Sequence, residues 1–273
     1  MRIDEIPTPA LLLEREKMEA NLARMRARVA ALGVSFRPHL KTCKCVEIAR
    51  RMLPAPAGPA TVSTLREAEI FFAAGVTDLL YAVGIEPGKL DRVARLRGQG
   101  CDLRVILDGA EAASALAGFC ARHGAAIPAL IEIDADGRRG GIAPDAPDLL
   151  PAACALGPEL LAGVMTHMGG AYACDSAAEL ARAAETERAS VVHAAERLRG
   201  AGFPVPIVSV GSTPTALRAA ALPGVTELRA GVYVFFDLVS AGLGLCALDE
   251  IALSVLVTVI GRRPDQQIGR AHV

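Results

Sequence analysis

The chain has 273 residues, of which 52% are hydrophobic, and its formal net charge is −1. Its length allows a sizeable buried core, and its near-neutral charge excludes the basic excess that is typical of nucleic-acid-binding proteins. No apolar run reaches the roughly 20 residues of a membrane span, and the N-terminus lacks the pattern of a signal peptide. Its seven cysteines form no Cys-x-x-Cys pair. We therefore expect a globular, cytoplasmic protein that acts on a small molecule, without a nucleic-acid or membrane partner.

Short β-branched runs alternate with Ala/Leu/Arg-rich helical patterns along most of the chain, which is typical of βα units around a parallel sheet. An apolar strand at 8–13 precedes the first helix. Eight further strands follow in chain order, at 34–38, 60–63, 78–83, 103–107, 129–134, 162–167, 206–210 and 227–232. The best-marked helices between them cover 65–74, 110–123 and 177–200. Eight such units over roughly 200 residues predict an α/β fold, a (β/α)8 barrel of the TIM type.

Two segments fall outside the barrel, which we place at 14–240. Residues 1–13 and 241–267 predict the start of a β-rich second domain, and within the latter we interpret 248–260 as one strand. We expect this second domain to be incomplete in the present chain.

The last six residues, 268–273, fit neither a strand, a helix nor a tail. Translated in one frame, a common short-read sequencing adapter gives the same Ile-Gly-Arg-Ala-His-Val followed by a stop. We interpret 268–273 as adapter sequence and expect native sequence to end near Gln266 or Gln267. A genuine genomic stop after Val273 would contradict this interpretation.

Polar residues follow several of the predicted strands. Active-site groups of such barrels lie at the C-terminal ends of the strands. The residues at or just after these ends include Lys41, Asp134, His167, Gly211 and Tyr233. Any enzyme barrel has polar residues there, so the set is more informative than any of its members.

Lys41 lies in the segment Arg-Pro-His-Leu-Lys-Thr at 37–42. Pyridoxal phosphate enzymes need a lysine for a Schiff base, backbone N–H groups for the phosphate and a group beside the pyridine nitrogen. The neighbouring Arg37 and His39 favour a deprotonated Lys41 amine. The ordinary alternative is an exposed surface lysine, which is the commonest fate of this residue type.

Two loops are candidates for binding the phosphate. Gly211, Ser212 and Thr213 follow the seventh strand and lead into a short helix, so small residues and a helix N-terminus can present N–H groups to an anion. Tyr233, after the eighth strand, offers its hydroxyl as a further donor. The alternatives are a tight turn with a Ser/Thr cap and a core tyrosine.

Three further residues are candidates for contacts with the ring of the cofactor or with the substrate. Arg139 can face the pyridine nitrogen, which would then stay unprotonated and act as a weaker electron sink. His167 can lie against the ring, and Tyr172 can reach the substrate. For His167 a structural role is the ordinary alternative.

Together these motifs carry a family resemblance. The run at 7–13, Arg-Pro-His-x-Lys-Thr at 37–42, Gly-Ser-Thr at 211–213 and Arg-Ala-Gly-x-Tyr-x-Phe-x-Asp at 229–237 resemble the D-threonine aldolase and D-serine dehydratase family. That family belongs to the alanine racemase-like, fold-type III pyridoxal phosphate enzymes. The resemblance extends from about residue 5 to 263.

The resemblance implies a role for each matching position. Lys41 would be the Schiff-base lysine and, with His167, a catalytic residue. The implied cofactor-binding set is Lys41, Arg139, His167, Tyr172, Gly211, Ser212, Thr213 and Tyr233. Gly170 departs from the family pattern, because many relatives have a histidine or an asparagine there.

The resemblance also implies a lyase that acts on D-β-hydroxy amino acids. Retro-aldol cleavage to glycine and an aldehyde is slightly favoured over dehydration to a keto acid and ammonia. The alternatives are an amino-acid racemase and a non-catalytic pyridoxal phosphate carrier.

A divalent metal, zinc or manganese, is implied only for the full-length protein, since its ligands come from the second domain and this sequence has no metal-spaced cluster. We expect a homodimer at full length and no activity from the present chain alone.

Overall fold

A computed structural model of the chain describes residues 2–263 and 266–270, and a parallel barrel forms its centre. The strands are β1 (Ala10–Leu13), β2 (Ser35–Phe36), β3 (Ala60–Val62), β4 (Asp78–Gly84), β5 (Asp102–Leu107), β6 (Ala129–Ile133), β7 (Leu161–Thr166), β8 (Ile207–Val210), β9 (Glu227–Leu228), β10 (Leu253–Leu256), β11 (Thr258–Arg263) and β12 (Gln266–Arg270). The helices are α1 (Arg15–Leu32), α2 (Val46–Met52), α3 (Leu65–Ala73), α4 (Leu90–Gly98), α5 (Ala110–His123), α6 (Leu149–Leu160), α7 (Ala177–Gly200), α8 (Thr213–Arg218) and α9 (Leu238–Gly242).

The barrel consists of eight parallel strands in the order β2-β9-β8-β7-β6-β5-β4-β3. Its two edges meet just beyond β2. There the Thr61 N–H donates to the Pro38 carbonyl at 2.9 Å, and the Leu40 N–H donates to the Thr61 carbonyl at 2.9 Å. The TIM-type barrel predicted from the sequence is confirmed. Because the closing seam directly precedes Lys41, closure of the barrel fixes the segment that carries this lysine.

Two apolar layers hold the barrel together. Successive residues of a strand face opposite sides of the sheet, so each strand contributes to both layers. Leu80, Ile106, Leu130 and Met165 form the small inner cluster, whereas the larger cluster lies between the sheet and the helices. Both faces of each strand are therefore buried, which explains the nearly continuous apolar runs in the sequence.

Side-chain caps determine where the helices begin. The Thr64 hydroxyl accepts a hydrogen bond from the Glu67 N–H at 3.0 Å, and α3 starts at the next residue. The Ser176 hydroxyl caps α7 in the same way through the Glu179 N–H at 3.2 Å. Across residues 2–263 and 266–270, no helix is both long and apolar enough to span a bilayer.

The strands outside the barrel form two antiparallel pairs, β1 with β10 and β11 with β12. The expected strand at 248–260 begins instead with a 3-10 turn at Leu248–Glu250, in which the Glu250 carboxylate accepts from the Ala247 N–H at 2.7 Å. The rest is divided at Val257 into β10 and β11, which pair with different strands. Residues 268–270, which we interpreted as adapter sequence, belong to β12, and 271–273 lie outside the described residues. The boundaries of a second domain stay a prediction.

Candidate active site

A cleft opens at the carboxyl ends of the barrel strands, where the sequence predicts the active site. The empty space of the cleft, including its open mouth, is about 630 Å³. Seven of the predicted site residues line it, namely Lys41, Arg139, His167, Tyr172, Gly211, Ser212 and Thr213. The fold thus brings together side chains that are up to 172 positions apart in the chain, from Lys41 to Thr213.

Lys41 lies immediately after the barrel seam, with its side chain exposed to the cleft. The surrounding protein atoms partly desolvate the amine and lower its pKa, and the positive charges of Arg139 and Arg229 lower it further. Burial also lowers the pKa of His39, with the nearby Lys41 charge acting in the same direction. The Lys41 amine therefore loses its proton more readily than a surface lysine does, as a nucleophilic lysine requires.

His167 connects two walls of the cleft. Its Nδ1 atom donates to the Gly211 carbonyl at 2.9 Å, and its Nε2 atom lies 3.4 Å from Nη2 of Arg139. Burial lowers the pKa of His167 to about 4. The Tyr172 ring is tilted by 34° relative to the His167 ring, with 6.3 Å between the centroids. His167 is thus a neutral ring at the centre of the cleft, between Arg139 and the loop after β8.

The loop after β8 approaches its neighbours closely. Gly211 has a φ of +133°, and a Cβ atom there would overlap the Arg229 carbonyl oxygen. The Ser212 hydroxyl accepts from the Thr215 N–H at 3.3 Å, while the Thr215 hydroxyl accepts from the Ser212 N–H at 3.2 Å. At Gly231, in the next loop, a Cβ atom would lie 2.6 Å from the His39 carbonyl oxygen. The side-chain-free surfaces at Gly211 and Gly231 leave room for the phosphate end of pyridoxal phosphate.

Tyr233 does not line the cleft. Its side chain is only 1% exposed, and its ring centroid lies 5.8 Å from that of Phe36. Burial raises the pKa of its hydroxyl. The main chain of Tyr233 contacts the loop after β8, since the Tyr233 N–H donates to the Thr213 hydroxyl at 3.2 Å. The ring fills the core beside α1, and the phosphate contact of the Tyr233 hydroxyl stays a prediction.

Arg229 is a cleft residue to which the sequence interpretation gave no role of its own. It is 3% exposed, and its Nη2 atom donates to the Thr166 carbonyl at 2.6 Å while Nη1 donates to the Ser209 hydroxyl. Ser209 in turn donates to the Glu227 carboxylate at 2.7 Å, which also accepts from Nε of Arg37 at 2.6 Å. This chain of hydrogen bonds fixes Arg229 as a second arginine that can face the ring of a cofactor.

Glu132 is the other missed residue. It lies on β6 and lines the cleft. Burial raises its pKa to about 7; Arg229 opposes this shift and Asp108 adds to it. The sequence signal was its position two residues before Asp134, which places both on the same face of the strand. Asp134 itself holds a turn, because its carboxylate accepts from the Gly137 N–H at 2.7 Å.

The unusual Gly170 lies against an acidic side chain at the mouth of the cleft. Its N–H donates to the Asp136 carboxylate at 2.6 Å. A Cβ atom at this position would lie 2.9 Å from that carboxylate oxygen and 3.5 Å from the Arg138 side chain. Asp136 and Arg138 therefore occupy the space that a larger residue would need.

No group of three or more His, Cys, Asp or Glu side chains is arranged to hold a metal ion in the part of the chain that the structure describes. The described residues therefore do not fit the zinc or manganese that the resemblance implies for the full-length protein.

Comparison with known proteins connects this cleft to a family. The profile of the family described as "Alanine racemase, N-terminal domain" matches residues 13–239. D-threo-3-hydroxyaspartate dehydratase from Delftia sp. (strain HT23) is 52% identical over 264 residues, which cover 96% of this chain and 70% of that protein. D-threonine aldolase from Arthrobacter sp. is 33% identical over 278 residues, which cover 96% of this chain and 71% of that protein.

A solved structure of one of these relatives is also similar to this chain. The structure of D-threo-3-hydroxyaspartate dehydratase from Delftia sp. HT23 has a TM-score of 0.93 and 51% identity, and the match covers 96% of this chain and 70% of that one. The fold is therefore shared along nearly the whole of this chain.

Proposed function

The chain belongs to the alanine racemase N-terminal domain family, and on that basis we propose that it is a pyridoxal phosphate-dependent lyase that dehydrates a D-β-hydroxy amino acid. The observation that carries the proposal is the lysine in the cleft. The Lys41 amine has a lowered pKa and shares the cleft with the amide-rich loop at Gly211–Thr213. A nucleophilic amine and an anion cradle in one cleft are the two binding elements that pyridoxal phosphate requires.

The proposed roles follow from the position and charge of each side chain. Lys41 would hold the cofactor through a Schiff base, and Gly211, Ser212 and Thr213 would bind its phosphate. Bound pyridoxal phosphate supplies an electron sink for the pair of electrons left when a bond to the substrate α-carbon breaks. The Lys41 amine, released by the substrate, would accept the α-proton. Arg139 stays the proposed partner of the pyridine nitrogen, with the buried Arg229 as the alternative.

The neutral His167 has a different task. A ring with a pKa of about 4 donates no proton at physiological pH. Its contacts with the Gly211 carbonyl and Arg139 suit an orienting role, in which the flat ring would support one face of the cofactor. Tyr172 is 38% exposed beside it and would meet the substrate.

The relatives favour dehydration over the aldol cleavage that we slightly preferred from the sequence. The dehydratase is 52% identical to this chain and the aldolase 33%. Dehydration would transfer the α-proton to Lys41, release the β-hydroxyl as water and give a keto acid and ammonia after hydrolysis. Arg139 lines the cleft, and Arg138 lies beside it against Gly169; this positive charge suits a dicarboxylate such as 3-hydroxyaspartate. Aldol cleavage of the same class of substrate is the second candidate.

The first experiment tests the cofactor. We expect titration of the protein with pyridoxal phosphate to produce an absorption band near the visible range that Lys41→Ala abolishes. Lys44→Ala is the matched control, because Lys44 is an exposed lysine three positions away that pairs with Glu67 at 3.4 Å. Equal bands in wild type and Lys41→Ala would contradict the assignment of the lysine.

The second experiment tests the reaction. D-threo-3-hydroxyaspartate, D-serine and D-threonine are supplied separately to the full-length protein, and the products are identified by mass spectrometry. Keto acid with ammonia indicates dehydration, and glycine with an aldehyde indicates aldol cleavage. The L-enantiomers serve as controls for the D-specificity. Repeating the assay with added zinc or manganese tests the proposed metal requirement, and light scattering tests the proposed homodimer.

A further inference from the structure

Glu187 is a buried acidic residue on α7, behind the cleft wall that includes the Gly211 loop. Its side chain is 2% exposed, and the other buried residues of this helix are alanine, leucine and valine. Burial of a carboxyl group is unfavourable unless hydrogen bonds or opposite charges compensate for the lost water. The contacts of Glu187 supply both kinds of compensation.

The carboxylate of Glu187 binds two loops at once. One oxygen accepts from the Met168 N–H at 2.9 Å, directly after His167. Burial raises the pKa of Glu187, and the Thr215 hydroxyl, Arg229 and the Gly211 amide oppose this shift. Glu187 and Thr215 also line the same small void behind the cleft, so the side chain faces the loop after β8 as well. On the cleft side, His167 already joins these loops through the Gly211 carbonyl at 2.9 Å. The two loops are therefore connected twice, once inside the cleft and once behind it.

We propose that Glu187 is a positioning residue that sets the spacing between the phosphate cradle at 211–213 and the loop that carries His167. The inference rests on the proposed function, because the ligand of the cradle is taken to be the phosphate of the cofactor. Glu187 is not among the residues that line the cleft. It acts through Met168, Gly211 and Thr215, and no contact with the cofactor is required.

The chemistry of the side chain explains why a glutamate suits this position. Its neighbours at Met168 and in the loop after β8 present hydrogen-bond donors, and a carboxylate offers acceptors on both oxygens. A glutamine keeps the length but turns an NH2 group toward one of these donors. An aspartate keeps the charge but is one methylene shorter. Glu187→Gln therefore tests the need for two acceptor oxygens, and Glu187→Asp tests the need for the full length of the side chain.

The experiment measures how much the phosphate contributes to cofactor binding. Dissociation constants for pyridoxal phosphate and for pyridoxal are determined from the lysine-dependent absorption band in wild type, Glu187→Gln and Glu187→Asp. The ratio of the two dissociation constants measures the contribution of the phosphate cradle to binding, since pyridoxal lacks the phosphate but keeps the aldehyde that reacts with Lys41. We expect both variants to lower the preference for the phosphorylated compound by about 10-fold, the effect of losing one charge-assisted hydrogen bond.

Glu185→Gln is the matched control, because Glu185 lies on the same helix, is exposed and pairs only with Arg188 among the described residues. It should keep the wild-type ratio. A uniform loss of affinity for both compounds would indicate general destabilisation and would overturn the positioning role. So would a folded Glu187 variant with the wild-type ratio.

Failure of the proposed function gives a different result. A wild-type protein without a lysine-dependent band would refute cofactor binding itself. If the wild type prefers the phosphorylated compound and the Glu187 variants keep the same preference, only the positioning role of Glu187 is refuted. If neither Glu187 variant folds, the positioning role is tested by measuring amide hydrogen exchange of the wild type with and without inorganic phosphate. The Met168 and Gly211 amides should become protected together, and independent protection would contradict the coupling.

Discussion

The Nδ1 atom of His167 lies 2.9 Å from the carbonyl oxygen of Gly211, which links the end of β7 to the loop after β8. A carbonyl oxygen only accepts, so Nδ1 carries the hydrogen and Nε2 keeps the lone pair that faces Arg139. The contact of Nε2 with Arg139 needs a neutral ring, because a protonated Nε2 would turn a hydrogen toward the guanidinium. Burial, the main cause of the pKa of about 4, acts in the same direction.

Protonation of His167 should destabilise the folded chain in acid. The folded-state pKa of about 4 lies below the ordinary value of 6.5, so the unfolded chain binds more protons between these values and stability falls as the pH drops through this window. The contribution is about 3 kcal/mol at most. We expect urea unfolding of His167→Gln to depend less on pH between 6.5 and 4 than that of wild type. Some pH dependence of the unfolding free energy should remain in this variant, because burial also lowers the pKa of His39.

Glu132 should produce the opposite pH dependence. Its folded-state pKa of about 7 lies above the ordinary 4.5, so its contribution is present below pH 4.5 and is lost as the pH rises through 7. We expect Glu132→Gln to be more stable than wild type at pH 8, by about 3 kcal/mol at most, and equally stable at pH 4. A stability difference that stays the same at both pH values would contradict the raised pKa of Glu132.

Gly211 should tolerate no side chain. Its positive φ disfavours any L-residue, and a Cβ atom would also overlap the Arg229 main chain. We expect Gly211→Ala to lower the free energy of unfolding by more than about 4 kcal/mol. Gly75→Ala is the control, because Gly75 has a φ of +95° and a Cβ atom there would meet no other atom within 4 Å; it isolates the backbone cost of about 1–2 kcal/mol. Similar losses for the two variants would indicate that the close approach at Gly211 is unimportant.

The pair Gly170 and Asp136 should be energetically coupled. Gly170→Asn places a Cβ atom 2.9 Å from the Asp136 carboxylate, so we expect a loss of about 1–2 kcal/mol in stability. Asp136→Ala removes the obstacle. In a double-mutant cycle measured by chemical unfolding, the second substitution should recover part of the loss, with a coupling of about 0.5–3 kcal/mol. Additive losses would show that Asp136 does not restrict this position.

Pattern reasoning predicted the barrel because its central strands are largely buried on both faces and helices such as α3 and α7 begin at capping residues. The helix at 177–200 was predicted to the residue, since Ser176 supplies a cap and the apolar spacing continues to its end. The strand at 248–260 was predicted as one element, because its apolar run continues through Val257, where the chain passes from the partner of β1 to the partner of β12.

The site was predicted less completely than the fold. The positions of Lys41, His167 and the 211–213 loop follow from the ends of strands, which the sequence indicates. Whether a residue faces the cleft or the core depends on how the sheet curves and packs. For this reason Arg229 and Glu132 were given no role, and the sequence left open whether Tyr233 belongs to the core, where its ring packs beside Phe36.

The pairing of β1 with β10 has a consequence for synthesis on the ribosome. Leu13 pairs with Leu253, so β1 emerges 240 residues before its partner. At the usual elongation rate of about 5–20 residues per second, this strand waits roughly 12–48 s with unpaired main-chain groups. The alternating pattern of β1, in which Leu11 and Leu13 stay exposed even after pairing, makes the nascent chain a natural client for chaperones that bind extended apolar segments.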